Sequence, residues 1–197
     1  MTSNPSKFDR DCHDWDEYGK ERKRAEQDVL EPMTWQQYVV AARETWDGTV
    51  INREEYVSMK LVEEVGELVG SFAKEKFHGK PNNNIEELGD IFWYIANSII
   101  SEKKMLNLEK SEECDSKGLI DDLQRMVYFA NLSWINITDG NPKTRFNGCI
   151  FAINTLAHSI CSHLELNPSD VWKANIAKLR KRHGRTYNRK FYLGDNQ

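Results

Sequence analysis

Apolar residues recur at spacings of three and four along most of the chain between residues 34 and 183, and few prolines interrupt them. This spacing places apolar side chains on one face of an α-helix, whereas a half-buried strand shows strict alternation of apolar and polar residues. No segment alternates convincingly in that way. The sequence therefore predicts an all-α protein, folded as a bundle of about six helices.

Capping and helix-breaking residues set the expected ends of these helices. Thr34 and Gln37 form a capping-box pattern, Asn52 is a candidate N-cap, and Gly79 and Pro168 mark a helix end and a helix start. The predicted helices cover residues 34–46, 53–77, 85–100, 119–136, 146–164 and 168–183.

Length and composition limit the class of protein. A chain of 197 residues with 39% hydrophobic residues can bury one core, so we expect one domain with an appendage. Its most apolar stretch, residues 91–100, is shorter than the roughly 18 residues that span a bilayer. Residues 1–10 contain no apolar segment typical of a secretory signal. The expectation is a cytoplasmic protein without membrane association.

Two further features concern the cysteines and the N-terminal segment. The four cysteines are widely spaced and form no C-x-x-C pair, which favours reduced thiols over a zinc site or a disulfide framework. Residues 1–32 mix charges without a sustained apolar face. They are interpreted as an N-terminal charged arm or an extra helix.

Basic residues are concentrated near the C-terminus. Seven of the 27 lysines and arginines lie between Lys178 and Lys190, where there is no acidic residue, although the net charge of the chain is −4. A basic segment on an acidic body indicates an anionic ligand such as phosphate, whereas a nucleic-acid-binding domain is more often basic overall. The alternative is a solvated helix end whose cations complement the helix dipole.

Two short acidic motifs carry the strongest chemical signal. They are Glu63-Glu64-Val-Gly-Glu67 on the second predicted helix and Glu87-Leu-Gly-Asp90 on the third. A spacing of three puts two acids on one helical face, and a hairpin of the two helices would bring four carboxylates together. Such carboxylates repel one another unless a hard cation joins them, and oxygen ligands favour Mg²⁺, with Mn²⁺ as an alternative.

The acidic motifs also have a purely structural interpretation. An E-E-x-x-E pattern on a helix is usually a solvated face, and Glu87 could complete a capping box with Asn84. The joint occurrence of both motifs beside apolar residues favours the metal site.

With these motifs the chain resembles the all-α nucleoside triphosphate pyrophosphohydrolases of MazG type, whose signature is E-E-x-x-E followed by E-x-x-D. The segments 33–38 and 175–184 also match the small MazG-like form. The resemblance covers about residues 33–103 and 165–187. It implies a MazG-like or dimeric-dUTPase-like bundle over residues 33–187, followed by a C-terminal tail at 188–197.

Site residues follow from the resemblance. It implies that Glu64, Glu67, Glu87 and Asp90 bind Mg²⁺. Catalysis would involve Glu63, Glu64 and Glu67. Glu63 would either lie in the outer coordination shell of the ion or orient the water molecule.

A (d)NTP substrate would be contacted by residues of the third and sixth predicted helices. These are Tyr94, Asn175, Lys178 and Arg182. For Tyr94, a packing role is an equally good interpretation. The implied reaction cleaves a (d)NTP to (d)NMP and pyrophosphate, which would serve control of the nucleotide pool.

One insertion departs from the compact family pattern. Residues 104–164 contain a second helical hairpin, in which Gly148-Cys-Ile-Phe151 echoes Gly89-Asp-Ile-Phe92. The separation from Asp122 to Cys149 is 27 positions and that from Glu64 to Asp90 is 26, so the insert could be a degenerate internal repeat. A homodimer or higher oligomer is expected, or a monomer if the insert is such a repeat.

Several functional alternatives stay open. The same scaffold could carry dUTPase-type or dCTPase-type activity, or it could be a catalytically silent module that binds a nucleotide or a protein. Binding of nucleic acid through the basic segment is a further, less favoured alternative, which predicts affinity that falls steeply with salt. Retention of the acidic residues of both motifs argues for an enzyme.

Overall fold

A computed structural model describes residues 31–46, 52–99, 115–138 and 143–183, and these residues contain six α-helices and no strand. The predicted all-α bundle of about six helices is confirmed. In chain order the helices are α1 (Trp35–Glu44), α2 (Arg53–His78), α3 (Asn84–Ser98), α4 (Leu119–Thr138), α5 (Lys143–His163) and α6 (Pro168–His183).

The caps at the start of α1 and at both ends of α2 follow from local sequence. Thr34 and Gln37 form the predicted capping box at the start of α1. Asn52 caps α2 through a hydrogen bond from the backbone N–H of Glu55, and Gly79 ends α2 in the left-handed conformation at φ 58°. Glycine adopts this conformation without the steric cost that a Cβ would impose.

The start of α3 differs from the prediction. Asn84 is the first residue of the helix and is buried, and Asn83 is the N-cap. A capping box between Asn84 and Glu87 is therefore wrong. The reason is tertiary: the backbone N–H of Asn83 donates to the hydroxyl of Ser71 at 2.7 Å, which fixes the turn one residue earlier.

Helix α3 lies at the centre of the bundle. It packs against α1, α2, α5 and α6, whereas α4 packs against α2 and α5. Leu88, Ile91, Phe92 and Ile95 of α3 are fully buried. Removal of each such side chain from water contributes about 1.5–3 kcal/mol to the stability of the fold. Glu87 and Asp90 are neighbours of these residues in the sequence, so they are held on a central, well-packed helix.

The α2–α3 hairpin has a defined antiparallel register. The bond between Ser71 and Asn83 lies at its closed end, and the ammonium group of Lys60 lies 5.8 Å from the ring centroid of Tyr94 farther along. This register sets Glu64 opposite Asp90. The last two turns of α2 extend past the start of α3.

The α4–α5 hairpin confirms the predicted second pair of helices but not the proposed internal repeat. Asp122 accepts a hydrogen bond from Ser159 at 2.6 Å, whereas Cys149 is the partner of Asn136. Positions 149 and 159 of α5 are about 15 Å apart along the helix axis. Asp122 therefore does not face Cys149 as Glu64 faces Asp90, and the alignment of the two hairpins in that register is wrong.

The buried face of α4 also differs from the apolar series in the sequence. Leu123, Met126 and Ala130 are buried as expected, but Val127 and Trp134 are 36% and 38% exposed. Polar residues take part in the covered face instead, namely Asp122, Ser133 and Asn136. Helical periodicity identifies the helix, whereas the neighbouring helices determine which face is covered.

Some predictions fall largely outside the described residues. The chain divides into two units, Met1–Pro32 and Met33–Gln197, and the six described helices all belong to the second. The structure does not describe three segments to which predictions refer. These are residues 1–30 of the charged segment, residues 100–114 around the start of the insert, and residues 184–197, which include the tail. Within the described ranges, no helix has the length and apolar character needed to cross a membrane. The described cysteines, Cys149 and Cys161, are buried free thiols.

Candidate metal centre

Three carboxylates from two helices converge beside the core. Glu64 of α2 and Glu87 and Asp90 of α3 each offer one oxygen, and these oxygens all lie within 4.8 Å of one another. The spacing of three puts Glu87 and Asp90 on one face of α3, and the hairpin register brings Glu64 to that face. We call these three residues the acidic triad.

Burial makes the acidic triad unusual among acidic clusters. Glu64 and Glu87 are only 8% and 7% exposed. Burial, followed by the nearby charge of Asp90, raises the pKa of Glu64 to about 7. Burial also raises the pKa of Glu87, although the side-chain amide of Asn83 opposes this by donating a hydrogen bond at 3.3 Å. The positive charge of Lys60 nearby lowers the pKa of Glu64, but it offsets the effect of burial only in part.

The other two predicted acids of α2 are placed differently. Glu67 is exposed and lies outside the triad, but its charge helps to raise the pKa of both Glu64 and Glu87. Glu63 is exposed and forms an ion pair with Lys60 at 2.5 Å. Lys60 also lies 3.5 Å from Glu64. Sequence reasoning missed Lys60, although its position four residues before Glu64 placed both on one face.

The basic residues of α6 lie against the acidic triad. The ammonium group of Lys178 is 2.7 and 2.5 Å from the two carboxylate oxygens of Asp90 and 3.2 Å from Glu86. Arg182 lies 3.3 Å from Glu86. The predicted stripe of α6 thus meets the acidic face of α3, and both cations form ion pairs with acids of α3.

A cavity of about 380 Å³ opens beside this contact. It is lined by the start of α3 and the middle of α6, through Asn82, Asn83, Ile85, Glu86, Ala174, Asn175 and Lys178. Because Lys178 lines the cavity and also contacts Asp90, the cavity adjoins the acidic triad.

Asn175 is buried behind Asp90 and is only 3% exposed. Its amide nitrogen donates to the Oδ1 atom of Asp90 at 2.8 Å. The hydroxyl of Tyr38, which is fully buried on α1, lies 3.0 Å from the amide oxygen of Asn175 and 3.2 Å from the carbonyl oxygen of Gly89. Burial, followed by the charge of Asp90, raises the pKa of Tyr38 well above its usual value, so the phenol keeps its proton.

Gly89 permits the close approach of α3 and α6. A Cβ atom at this position would lie 2.9 Å from the Cβ of Asn175, which is too close for two carbon atoms. Sequence reasoning missed Tyr38 and Gly89 as site residues. Their signals were present, because Tyr38 ends the segment 33–38 and Gly89 stands between Glu87 and Asp90.

Tyr94 of α3 lies near the acidic triad and packs against a second tyrosine. Tyr94 is 7% exposed, and its ring centroid lies 6.2 Å from that of Tyr56. Burial is the main cause that raises the pKa of Tyr94, and the charges of Glu64 and Asp90 add to it. Tyr94 therefore packs in the core and also borders the acids, so both of its predicted roles stay open.

The donor set suits a hard divalent cation. Each member of the triad supplies a carboxylate oxygen, and no histidine or cysteine belongs to this group in the part of the chain that the structure describes. Mg²⁺ and Mn²⁺ prefer such oxygen ligands. A bound cation would favour the ionised form of Glu64 and Glu87, against the effect of burial that raises their pKa.

Comparison of the whole chain with protein-family models, with curated proteins and with solved structures finds no match. The likeness to MazG-type enzymes therefore rests on the sequence motifs alone.

Proposed function

We propose that the chain is a Mg²⁺-dependent nucleoside triphosphate pyrophosphohydrolase of MazG type, which cleaves a (d)NTP to (d)NMP and pyrophosphate. The observation that supports this most directly is the acidic triad, in which Glu64 and Glu87 are buried and Asp90 is partly buried, with Lys178 next to it. Buried acids without full compensation are costly for stability, and they cluster at functional sites.

The cation would be held by the acidic triad, Glu64, Glu87 and Asp90. The resemblance adds Glu67 as a fourth ligand. Once bound, Mg²⁺ supplies charge that neutralises these acids and polarises phosphate oxygens. Because the pKa of Glu64 is raised to about 7, binding of the cation would release a proton from this residue near neutral pH. The pKa of Glu87 is also raised by burial.

Substrate phosphates would be bound by the cations of α6. Lys178 and Arg182 project from one stripe of that helix, and the 380 Å³ cavity beside Lys178 offers room for a polyphosphate. In the structure both cations contact Glu86. Lys178 also contacts both oxygens of Asp90. When the cation takes Asp90 as a ligand, phosphate oxygens would replace Asp90 and Glu86 as partners of these two basic residues and form charge-assisted hydrogen bonds.

The reaction is an attack of water on the α-phosphorus. The bond between that phosphorus and the bridging oxygen to the β-phosphorus breaks, and pyrophosphate leaves with the bonding electrons. A carboxylate of the first motif, Glu63, Glu64 or Glu67, would orient the water and accept its proton. Lys178 and Arg182 would stabilise the charge that develops on the leaving pyrophosphate.

dUTPase-type or dCTPase-type activity would use the same residues and differ in base preference. Incubation of the purified chain with the eight common NTPs and dNTPs, with and without Mg²⁺, would test both alternatives by release of pyrophosphate. We expect Mg²⁺-dependent release from at least one substrate. A chain that binds a nucleotide without turnover would instead be a silent module.

Two variants connect this activity to the acidic triad. Glu64→Gln and Asp90→Asn are expected to lower turnover about 100-fold or more while the helical circular dichroism spectrum is unchanged. Glu75→Gln, on the exposed side of α2, is a matched control that should keep full activity. Full turnover by Glu64→Gln would remove the proposal.

A further inference from the structure

Three helices are joined by a buried chain of hydrogen bonds that ends on one acid of the triad. We propose that Tyr38 and Asn175 are positioning residues, which orient the Asp90 carboxylate for the binding of the divalent cation. This inference rests on the proposed metal site and assigns Asn175 a role behind Asp90, in addition to the substrate contact expected from the sequence.

The connection between the three residues is continuous. Tyr38 of α1 lies 3.0 Å from the Oδ1 atom of Asn175 on α6, and the Nδ2 atom of Asn175 lies 2.8 Å from the Oδ1 atom of Asp90 on α3. Both distances are those of good hydrogen bonds. Asn175 bonds only the Oδ1 atom of Asp90, and the Oδ2 atom is contacted by the mobile end of a lysine, Lys178. A cation that binds Asp90 would displace the Lys178 ammonium from Oδ2, whereas the bond from Asn175 would still restrict rotation of the carboxylate.

The Tyr38 hydroxyl determines which way the Asn175 amide points. An asparagine amide presents an acceptor oxygen on one side and a donor nitrogen on the other. When Tyr38 donates to the oxygen, the nitrogen must face Asp90. With the amide reversed, its oxygen would face the carboxylate and repel it, so the hydroxyl selects the productive orientation.

Burial makes this selection effective. Tyr38 is fully buried and Asn175 is 3% exposed, so bulk water does not readily supply a substitute partner. The absence of a side chain at Gly89 lets α6 approach closely enough for Asn175 to reach Asp90. Residues that hydrogen-bond to metal ligands in this way typically affect affinity for the metal by 10-fold to 100-fold.

A double-mutant cycle on the full chain tests the proposal, with Mn²⁺ binding in the absence of nucleotide as the readout. Asn175→Ala should weaken Mn²⁺ binding by about 10-fold to 100-fold, and Tyr38→Phe should weaken it by up to about 10-fold. Because Tyr38 acts through Asn175, adding Tyr38→Phe to Asn175→Ala should cause no further loss of affinity.

Asn136→Ala is the matched control, because Asn136 is a buried asparagine of α4 that lies outside the site. It should lower the melting temperature and leave Mn²⁺ affinity unchanged. Tyr38→Phe removes a single hydroxyl, so it carries the test on its own if Asn175→Ala does not fold.

Two results would overturn the inference. Mn²⁺ affinity within twofold of the unmodified chain in both single variants would leave Tyr38 and Asn175 with a structural role only. Additive losses of Mn²⁺ affinity in the double variant would contradict the proposal that Tyr38 acts on Asp90 through Asn175.

Failure of the positioning role can be distinguished from failure of the metal site. If Glu64→Gln abolishes Mn²⁺ binding while Asn175→Ala and Tyr38→Phe do not weaken it, only the positioning role fails. If the unmodified chain does not bind Mn²⁺, the metal site itself fails.

Discussion

At the scale of single residues, Glu64 shows the conflict between burial and charge most clearly. Its side chain is buried and its carboxylate lies close to Asp90, and its pKa rises from 4.5 to about 7. The folded chain therefore binds this proton more tightly than the unfolded chain does. Linkage requires the free energy of unfolding to fall as the pH rises from about 4.5 to about 7.

Glu64→Gln should remove this part of the pH dependence in the cation-free protein. The effect is at most about 3 kcal/mol, since one pKa unit corresponds to about 1.4 kcal/mol and solvent screening reduces it. Urea unfolding in the presence of a chelator at pH 5 and pH 8 would measure the difference. We expect Glu64→Gln to be more stable than the unmodified chain at pH 8, whereas Glu75→Gln should keep the original slope. An identical slope in Glu64→Gln would contradict the burial of this charge.

At the scale of helices, the contact between α3 and α6 depends on Gly89. Gly89→Ala would place a Cβ 2.9 Å from that of Asn175 and force the two helices apart. Overpacking of this kind usually costs about 1–3 kcal/mol. Thermal unfolding should therefore show a lower melting temperature, and Mn²⁺ affinity should fall as Asn175 is displaced from Asp90.

The matched control for Gly89→Ala is Gly70→Ala on α2. A Cβ at Gly70 meets no atom within 4 Å, so alanine there should stabilise the helix by roughly 0.5–1 kcal/mol. Equal melting temperatures for the two variants would argue against the close approach of α3 and α6.

At the scale of the whole molecule, local signals predicted the elements, and long-range contacts decided the rest. The capping box at Thr34 and the left-handed Gly79 involve residues near in sequence, so their helix ends were predictable. The acidic triad was partly predictable, because helical spacing and one hairpin bring the acids together. Asn175 reaches Asp90 across 85 positions, and no periodicity reveals such a bond.

The same distinction explains the corrections. The pattern that paired Asp122 with Cys149 relied on equal spacing in two hairpins, but register depends on how the helices pack. The exposure of Val127 and Trp134 likewise depends on which side of α4 meets α2 and α5. Which helix neighbours which is tertiary information that a single sequence pattern does not contain.

Enclosure of α3 by four neighbours has a kinetic consequence for the peptide groups of that helix. A segment covered on all sides opens to solvent chiefly when the surrounding structure opens with it. Of the described helices, α3 should then show the slowest exchange of amide hydrogen for deuterium. The last two turns of α2, which extend past the start of α3, should exchange much faster. The backbone at Asp90, in the middle of α3, should be better protected than that at Ile85 and Glu86, whose side chains are exposed at the start of the helix.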